Sequence, residues 1–375
     1  MIPYYLSKKY IDSMERIRNA FNFTDCNFDK VPLIIQTASM AATGQDLSIF
    51  PQDYFDNPES MLEFQESSFK IHLDNIEDDY IPYLCPWYGV CVVPDYFGSK
   101  ITFPKNCDPA ALPVIRNIEE AKNLKIKKFN ESDLMNRVIN TINYFKENSS
   151  YPISVTDSQS ILDCITQIIG YQNLFYWMKD DPGLVNHLLD LVNNTIRDWT
   201  IFQKNLIGEK KDDSNGIISI KPPEEIGAWF SDDDMIILSP DIYEKFIIEK
   251  HSKLFKNFGG AVLHWCGDGN HNLDNVVNIK NLKAVHNFFL GKIENAVEMQ
   301  KKLKKYNIAL ITGDMVPVKE QLNKYLLSIK QNLDPVGLIL NFWIYPKIGL
   351  KDGRYVDTDN DQIEIALRII DFFRG

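Results

Sequence analysis

Apolar positions along this chain fall into two rhythms. From Ile2 to Phe23 they recur at helical spacing, and Val31-Pro-Leu-Ile-Ile35 then reads as a short strand. The next hundred residues are irregular, broken by Pro51, Pro58, Pro82, Pro86, Pro94, Pro104, Pro109 and Pro113, so loops and short strands are expected there, the best candidates being Tyr80 to Leu84 and Gly89 to Val93. After Tyr151 the pattern becomes regular. Strand-like runs at Ile153 to Val155, Gly216 to Ile220, Ala261 to Leu263, Leu282 to Asn287, Ile308 to Ile311 and Gly337 to Leu340 are separated by segments of helical period. Those segments include Leu184 to Gln203, Ser239 to Phe258, Ile293 to Lys305, Val318 to Ile329 and Gln362 to Phe373. The start Ser239-Pro-Asp-Ile has a serine in the cap position and proline at the first helical position.

Strands alternating with helices imply parallel strands joined by helical crossovers. About eight strands suit an α/β (β/α)8 TIM-type barrel, with an N-terminal helical and irregular extension, better than a doubly wound sheet. No Gly-x-Gly-x-x-Gly follows a strand, which leaves a dinucleotide crevice without support. The expected organisation is a single barrel domain over 1–375, with the helices and first strand of 1–80 belonging to it.

In a barrel of this kind, reacting groups stand at the carboxyl ends of the strands. His264 and Cys266 lie in the run Phe258-Gly-Gly-Ala-Val-Leu-His-Trp-Cys-Gly267. Positions i and i+2 of a strand face the same way, so an imidazole and a thiol project together from its end. Zinc favours such nitrogen and sulfur donors, and a catalytic zinc site takes three protein ligands and leaves one position open. Asp232, Asp233, Asp234 and Asp314 are candidates for the third ligand, with His286 behind them. Asp157, Asp233 and Asp314 are candidate catalytic carboxylates at other exits, and Tyr83, Trp87, Tyr88, Trp229, Asn341 and Trp343 are candidate substrate-binding groups.

Charge and cysteine usage narrow the class. A formal net charge of -11 repels a phosphate backbone, so nucleic acid is not an expected partner. The six cysteines are scattered with no Cys-x-x-Cys, which fits a reducing compartment, and no apolar run has the length of a membrane span. A cytoplasmic protein is expected.

The chain resembles the uroporphyrinogen decarboxylase superfamily over most of its length. The resemblance rests on Glu15-Arg16 leading into Lys30-Val-Pro-Leu-Ile34, on Tyr80-Ile-Pro-Tyr-Leu84, on Pro152-Ile-Ser-Val155 with Gly170 and Asp181-Pro-Gly-Leu-Val185, and above all on Leu238-Ser-Pro-Asp-Ile-Tyr-Glu-Lys-Phe246 leading to His264-Trp-Cys-Gly267. It implies a distorted (β/α)8 barrel. The decarboxylases proper carry Arg-Gln-Ala-Gly-Arg near the first strand, whereas this chain has Gln36-Thr-Ala-Ser-Met40 with no arginine. The corrinoid-dependent methyltransferase branch, typified by methylcobamide:coenzyme M methyltransferase, carries His-x-Cys-Gly and zinc. Its usual second cysteine near the last strand is absent, since Leu340-Asn-Phe-Trp-Ile-Tyr345 stands there. The resemblance implies Zn2+ as cofactor, methylcobalamin or another corrinoid on a separate corrinoid-binding protein, and a small-molecule methyl donor or acceptor. A metal-independent decarboxylase or lyase acting on a carboxylated substrate and a non-catalytic ligand-binding barrel are the alternative readings.

Overall fold

The computed structural model describes residues 7–37, 51–104 and 108–375. The expected start of the first helix at Ile2, the segment beyond Thr37 in the first strand exit, and Cys107 lie outside these residues. Ten strands are described: β1 (Leu33–Gln36), β2 (Lys100–Thr102), β3 (Ala110–Leu112), β4 (Ala228–Ser231), β5 (Ala261–Cys266), β6 (Leu282–Phe288), β7 (Ala309–Thr312), β8 (Leu338–Trp343), β9 (Ile348–Lys351) and β10 (Arg354–Asp357). Six of them form one parallel sheet in the order β1-β8-β7-β6-β5-β4, and the others make two small antiparallel pairs. Helices Pro182–Ile207, Ile293–Lys304, Leu322–Asn332 and Gln362–Arg374 match four of the expected helical segments.

The expectation of eight strands closing a barrel is met by six, and the reason is visible between β1 and β4. Segments 80–84 and 153–155 run where two further strands were expected, but only Leu84 and Ile153 pair, as an isolated parallel bridge. In place of a ladder, the side chains of Asp79 and Asp78 accept the backbone N–H groups of Leu33 (2.9 Å) and Ile35 (2.7 Å). Carboxylates thus satisfy β1 where a neighbouring strand would. Arg16 and Arg374 in turn donate to Asp79, tying the first and last helices to this edge. The architecture is mixed α/β and barrel-like, without a continuous closed barrel among the described residues.

Three other expectations are corrected. Gly89 to Val93 is not a strand: Val92 and Val93 begin the short helix Val92–Tyr96. The Ser239 to Phe258 helix is interrupted by a π-helical turn at Glu244–Ile248, and the Ser239 side chain makes no capping hydrogen bond. Gly216 to Ile220 is a tight reversal, with Ile217 and Ile220 exchanging both backbone hydrogen bonds (2.8 and 2.9 Å). Its central residues, Ile218 and Ser219, sit at φ 41° and 60°. A β-branched residue rarely adopts positive φ, and such a conformation persists only where its surroundings over-determine it. Here they do. Gln36 and Asn341 each donate a side-chain amide to the Ile218 carbonyl, Ser219 donates to Gln36, and the Ile81 N–H donates to the Ser219 carbonyl.

Candidate metal and substrate site

Alternation along the strands decides which side chains enter the sheet's concave face. On β5, His264 and Cys266 line a cavity of about 510 Å³, while Trp265 between them is buried on the other side. Register then places Ser231 of β4 and His286 of β6 on either side of His264. The His264 and His286 rings stack with centroids 4.6 Å apart, and Trp229 covers the opposite face of His264 at 5.6 Å. The His264 Nδ1 lies 3.1 Å from the His286 carbonyl, which can only accept, so Nδ1 carries the proton and Nε2 presents its lone pair. That lone pair points toward Cys266 Sγ at 3.3 Å and lies 3.7 Å from Asp233 Oδ1.

Asp233 completes the group. Its Oδ1 accepts the Cys266 N–H at 2.7 Å, and ligand atoms of Asp233, His264 and Cys266 all fall within 4.8 Å of one another. The neighbouring aspartates are committed elsewhere. Asp232 is fully buried and accepts from Ser160 (2.7 Å) and Tyr243 (2.6 Å), with His251 at 3.2 Å; against the burial that would raise it, His251, Tyr243 and Ser160 bring its carboxyl below its ordinary value. Asp234 accepts from Thr166 and Tyr171. The loop is set by Asp163, from helix Ile161–Ile169, whose two oxygens accept the N–H groups of Asp233 and Asp234. Asp233, expected as a catalytic carboxylate and as one of the candidate third ligands, is therefore the acid that reaches the histidine and cysteine, and Asp232 and Asp234 are not.

Electrostatics favour a cation at this point. Burial pushes the Cys266 thiol well above its ordinary value, with Asp233 adding to the effect, and it holds His264 neutral by lowering it. An acid and a thiol this close cannot both carry charge without a positive partner. One nitrogen, one sulfur and one carboxylate oxygen around an open cavity fit the three-ligand pattern of catalytic zinc, and the His286 carbonyl supplies the orienting contact that such a histidine needs.

The other expected residues separate into three groups. Tyr83, Trp87, Asp157, Trp229, His286 and Trp343 line the same cavity. His286 lies outside the Asp233, His264 and Cys266 group, and both of its ring nitrogens are buried without a hydrogen-bond partner among the described residues. Burial pushes the Asp157 carboxyl up to about 7, opposed by the Gln159 N–H that it accepts and reinforced by Asp233. Tyr88 does not line the cavity: its ring is in the core and its hydroxyl pairs with Thr141. Asn341 is beneath it, holding the Ile218 turn.

Asp314 is likewise not a lining group. It is fully buried at φ 65°, and its two oxygens accept the N–H groups of Leu290 (2.8 Å) and Gly291 (2.7 Å), clamping the turn after β6 to the end of β7. Burial pushes it up to about 7, against the lowering effect of these N–H groups. An unfolded aspartate titrates near about 3.9. The folded state therefore binds the extra proton between these values, and this group's contribution to stability falls as pH rises through that window, by up to about 4 kcal/mol. Asp314→Asn is expected to flatten the decline, as read from urea midpoints at about pH 5 and about pH 7.5.

Phe288, Met315, Tyr345 and Tyr355 also line the cavity and were not among the expected residues. Phe288 stands two positions beyond His286 on the same strand, so the period-two rule would have found it. Tyr355 arrives on the β9 and β10 hairpin, whose turn at Asp352 and Gly353 has both φ values positive. The Asp-Gly dipeptide is the sequence signal for such a turn.

No family model matches this chain, and no curated protein matches it in sequence. Its fold is similar to that of a methyltransferase from Methanosarcina mazei, with a TM-score of 0.68 over 97% of this chain and 99% of that one, at 13% identity. At that identity the likeness speaks for the fold. No helix among the described residues is long and apolar enough to cross a membrane.

Proposed function

We propose that this chain is a zinc-dependent methyltransferase that moves a methyl group between a small substrate and a corrinoid held by a separate carrier protein. The observation that carries this reading is the convergence of Asp233, His264 and Cys266 on one wall of the cavity, with an open face toward its interior. The likeness in fold to a methyltransferase and the resemblance of His264-Trp-Cys-Gly267 to the corrinoid-dependent branch support it. In this reading Asp233 occupies the place that the second cysteine takes in that branch.

A zinc ion bound there would supply Lewis acidity, lowering the pKa of a coordinated thiol or hydroxyl or polarising a methoxy oxygen. The protein's own share is positional. The His286 carbonyl and the Trp229 ring fix the plane of His264, the Cys266 N–H fixes Asp233, and Asp163 fixes the loop that carries Asp233. The apolar lining excludes water around the reacting atoms, which strengthens every charge interaction within.

A decarboxylase acting on a carboxylated substrate would need cationic groups to receive it. Among the described residues the cavity is lined by no lysine or arginine. Metal analysis of protein purified without chelator is expected to give about one zinc per chain, lost in His264→Ala, Cys266→Ala and Asp233→Ala. A metal-free wild type, or an Asp233→Ala variant that keeps full zinc, overturns this ligand set. Methyl transfer to or from a cobalt(I) corrinoid, followed by its absorbance, tests the reaction.

A further inference from the structure

We propose that the substrate of this cavity is a small organic cation, its onium group seated between Asp157 and the aromatic walls. The proposal takes the cavity to be the substrate site of the methyltransferase reading and names the class of molecule that enters it.

Two observations converge. First, the titratable lining is one-sided. Asp108, Asp157 and Asp233 face the cavity with no lysine or arginine among the described lining residues. If Asp233 is committed to the metal and Asp108 accepts the Trp87 indole N–H at 2.9 Å, Asp157 is left with one described hydrogen bond, from the Gln159 N–H beside it. A buried carboxylate short of partners is costly, and a cation from the ligand would repay it.

Second, aromatic side chains make up much of the wall. Trp87, Trp229, Phe288, Trp343 and Tyr355 contribute rings to the lining, and ring faces attract a desolvated cation by their quadrupole. The cavity volume suits a molecule of modest size.

The test is equilibrium binding to the full chain loaded with zinc, followed by tryptophan fluorescence and calorimetry. The probes are choline, its uncharged carbon isostere 3,3-dimethyl-1-butanol, and propionate. Choline is expected to bind at least about tenfold more tightly than the isostere, and propionate to give no saturable response. Asp157→Asn is expected to erase the preference for choline while leaving the isostere's affinity unchanged; circular dichroism checks its fold. Should that variant not fold, the wild-type comparison of the three probes still decides.

Equal or tighter binding of the isostere, binding of propionate in preference to choline, or no saturable response to choline overturns the proposal. Zinc content of the same sample separates it from the reading beneath it. Choline selectivity in protein that takes up no zinc removes the metal reading and keeps the cation site. Stoichiometric zinc without charge selectivity removes the cation site alone.

Discussion

Under the proposed zinc-dependent activity, Cys266→Ala is expected to lower methyl transfer by at least about a thousandfold while leaving the fold intact. Lewis acidity of a bound metal contributes several kcal/mol of transition-state stabilisation, and each 1.4 kcal/mol or so is a factor of ten. The substitution removes the sulfur donor and leaves His264 and Asp233, too few to hold zinc against water. Little structure goes with it, because Cys266 lies at the carboxyl end of β5 and is only partly buried, and its backbone N–H still reaches Asp233. Circular dichroism and zinc content, measured beside the rate of corrinoid methylation, separate loss of the metal from loss of the fold. Retention of more than about a tenth of wild-type activity in the zinc-free variant would show that the metal does no chemistry.

Gly313→Ala, just past the end of β7, is expected to be strongly destabilising. A Cβ at Gly313 would stand 2.4 Å from the Asn341 carbonyl oxygen and 2.6 Å from its carbon, both backbone atoms of β8. Backbone cannot rotate away as a side chain can. Relief requires parting β7 from β8, where Thr312 pairs with Leu340 and the Trp343 N–H donates to the Asp314 carbonyl. The Tyr325 hydroxyl bonds the Gly313 carbonyl, holding the same point from the helix side. A loss of about 3 kcal/mol or more is expected from urea unfolding, the size reached when overpacking meets a rigid neighbour. Gly183→Ala is the control: in the first turn of helix Pro182–Ile207 its Cβ would meet only an Asp181 side-chain oxygen, at 3.6 Å, and a change within about 0.5 kcal/mol is expected.

What was legible in the sequence follows from which signals are local. β5 to β8 are continuous apolar runs between glycines or polar turns, and each was expected close to where it lies. β4 was misplaced. The apolar run Gly216 to Ile220 carries the strand signature, but its φ values come from Gln36, Asn341 and Ile81, each more than a hundred positions away in sequence. The true strand, Ala228–Ser231, is only four residues long and follows a proline pair.

The same holds within the site. Period-two alternation was enough to join His264 with Cys266, whereas the choice among Asp232, Asp233 and Asp234 turned on one residue of loop phase. Asp163 sets that phase from about seventy residues upstream. Asp314 misled because a buried acid after a strand and a glycine reads as chemistry, while its partners, Leu290 and Gly291, are backbone groups without a sequence signature.

The strained Ile218 turn also bears on the order in which the molecule assembles. Its carbonyl is grasped by Gln36 from the first strand and Asn341 from the last of the six, across sequence separations of 182 and 123 residues. Closing such long loops is slow, and the reward comes only when both distant strands are already in place. The floor of the cavity is thus a knot tied after the walls stand. Refolding followed by a ligand that fluoresces in the cavity should lag behind the recovery of helical signal, so binding competence would time the final step of folding.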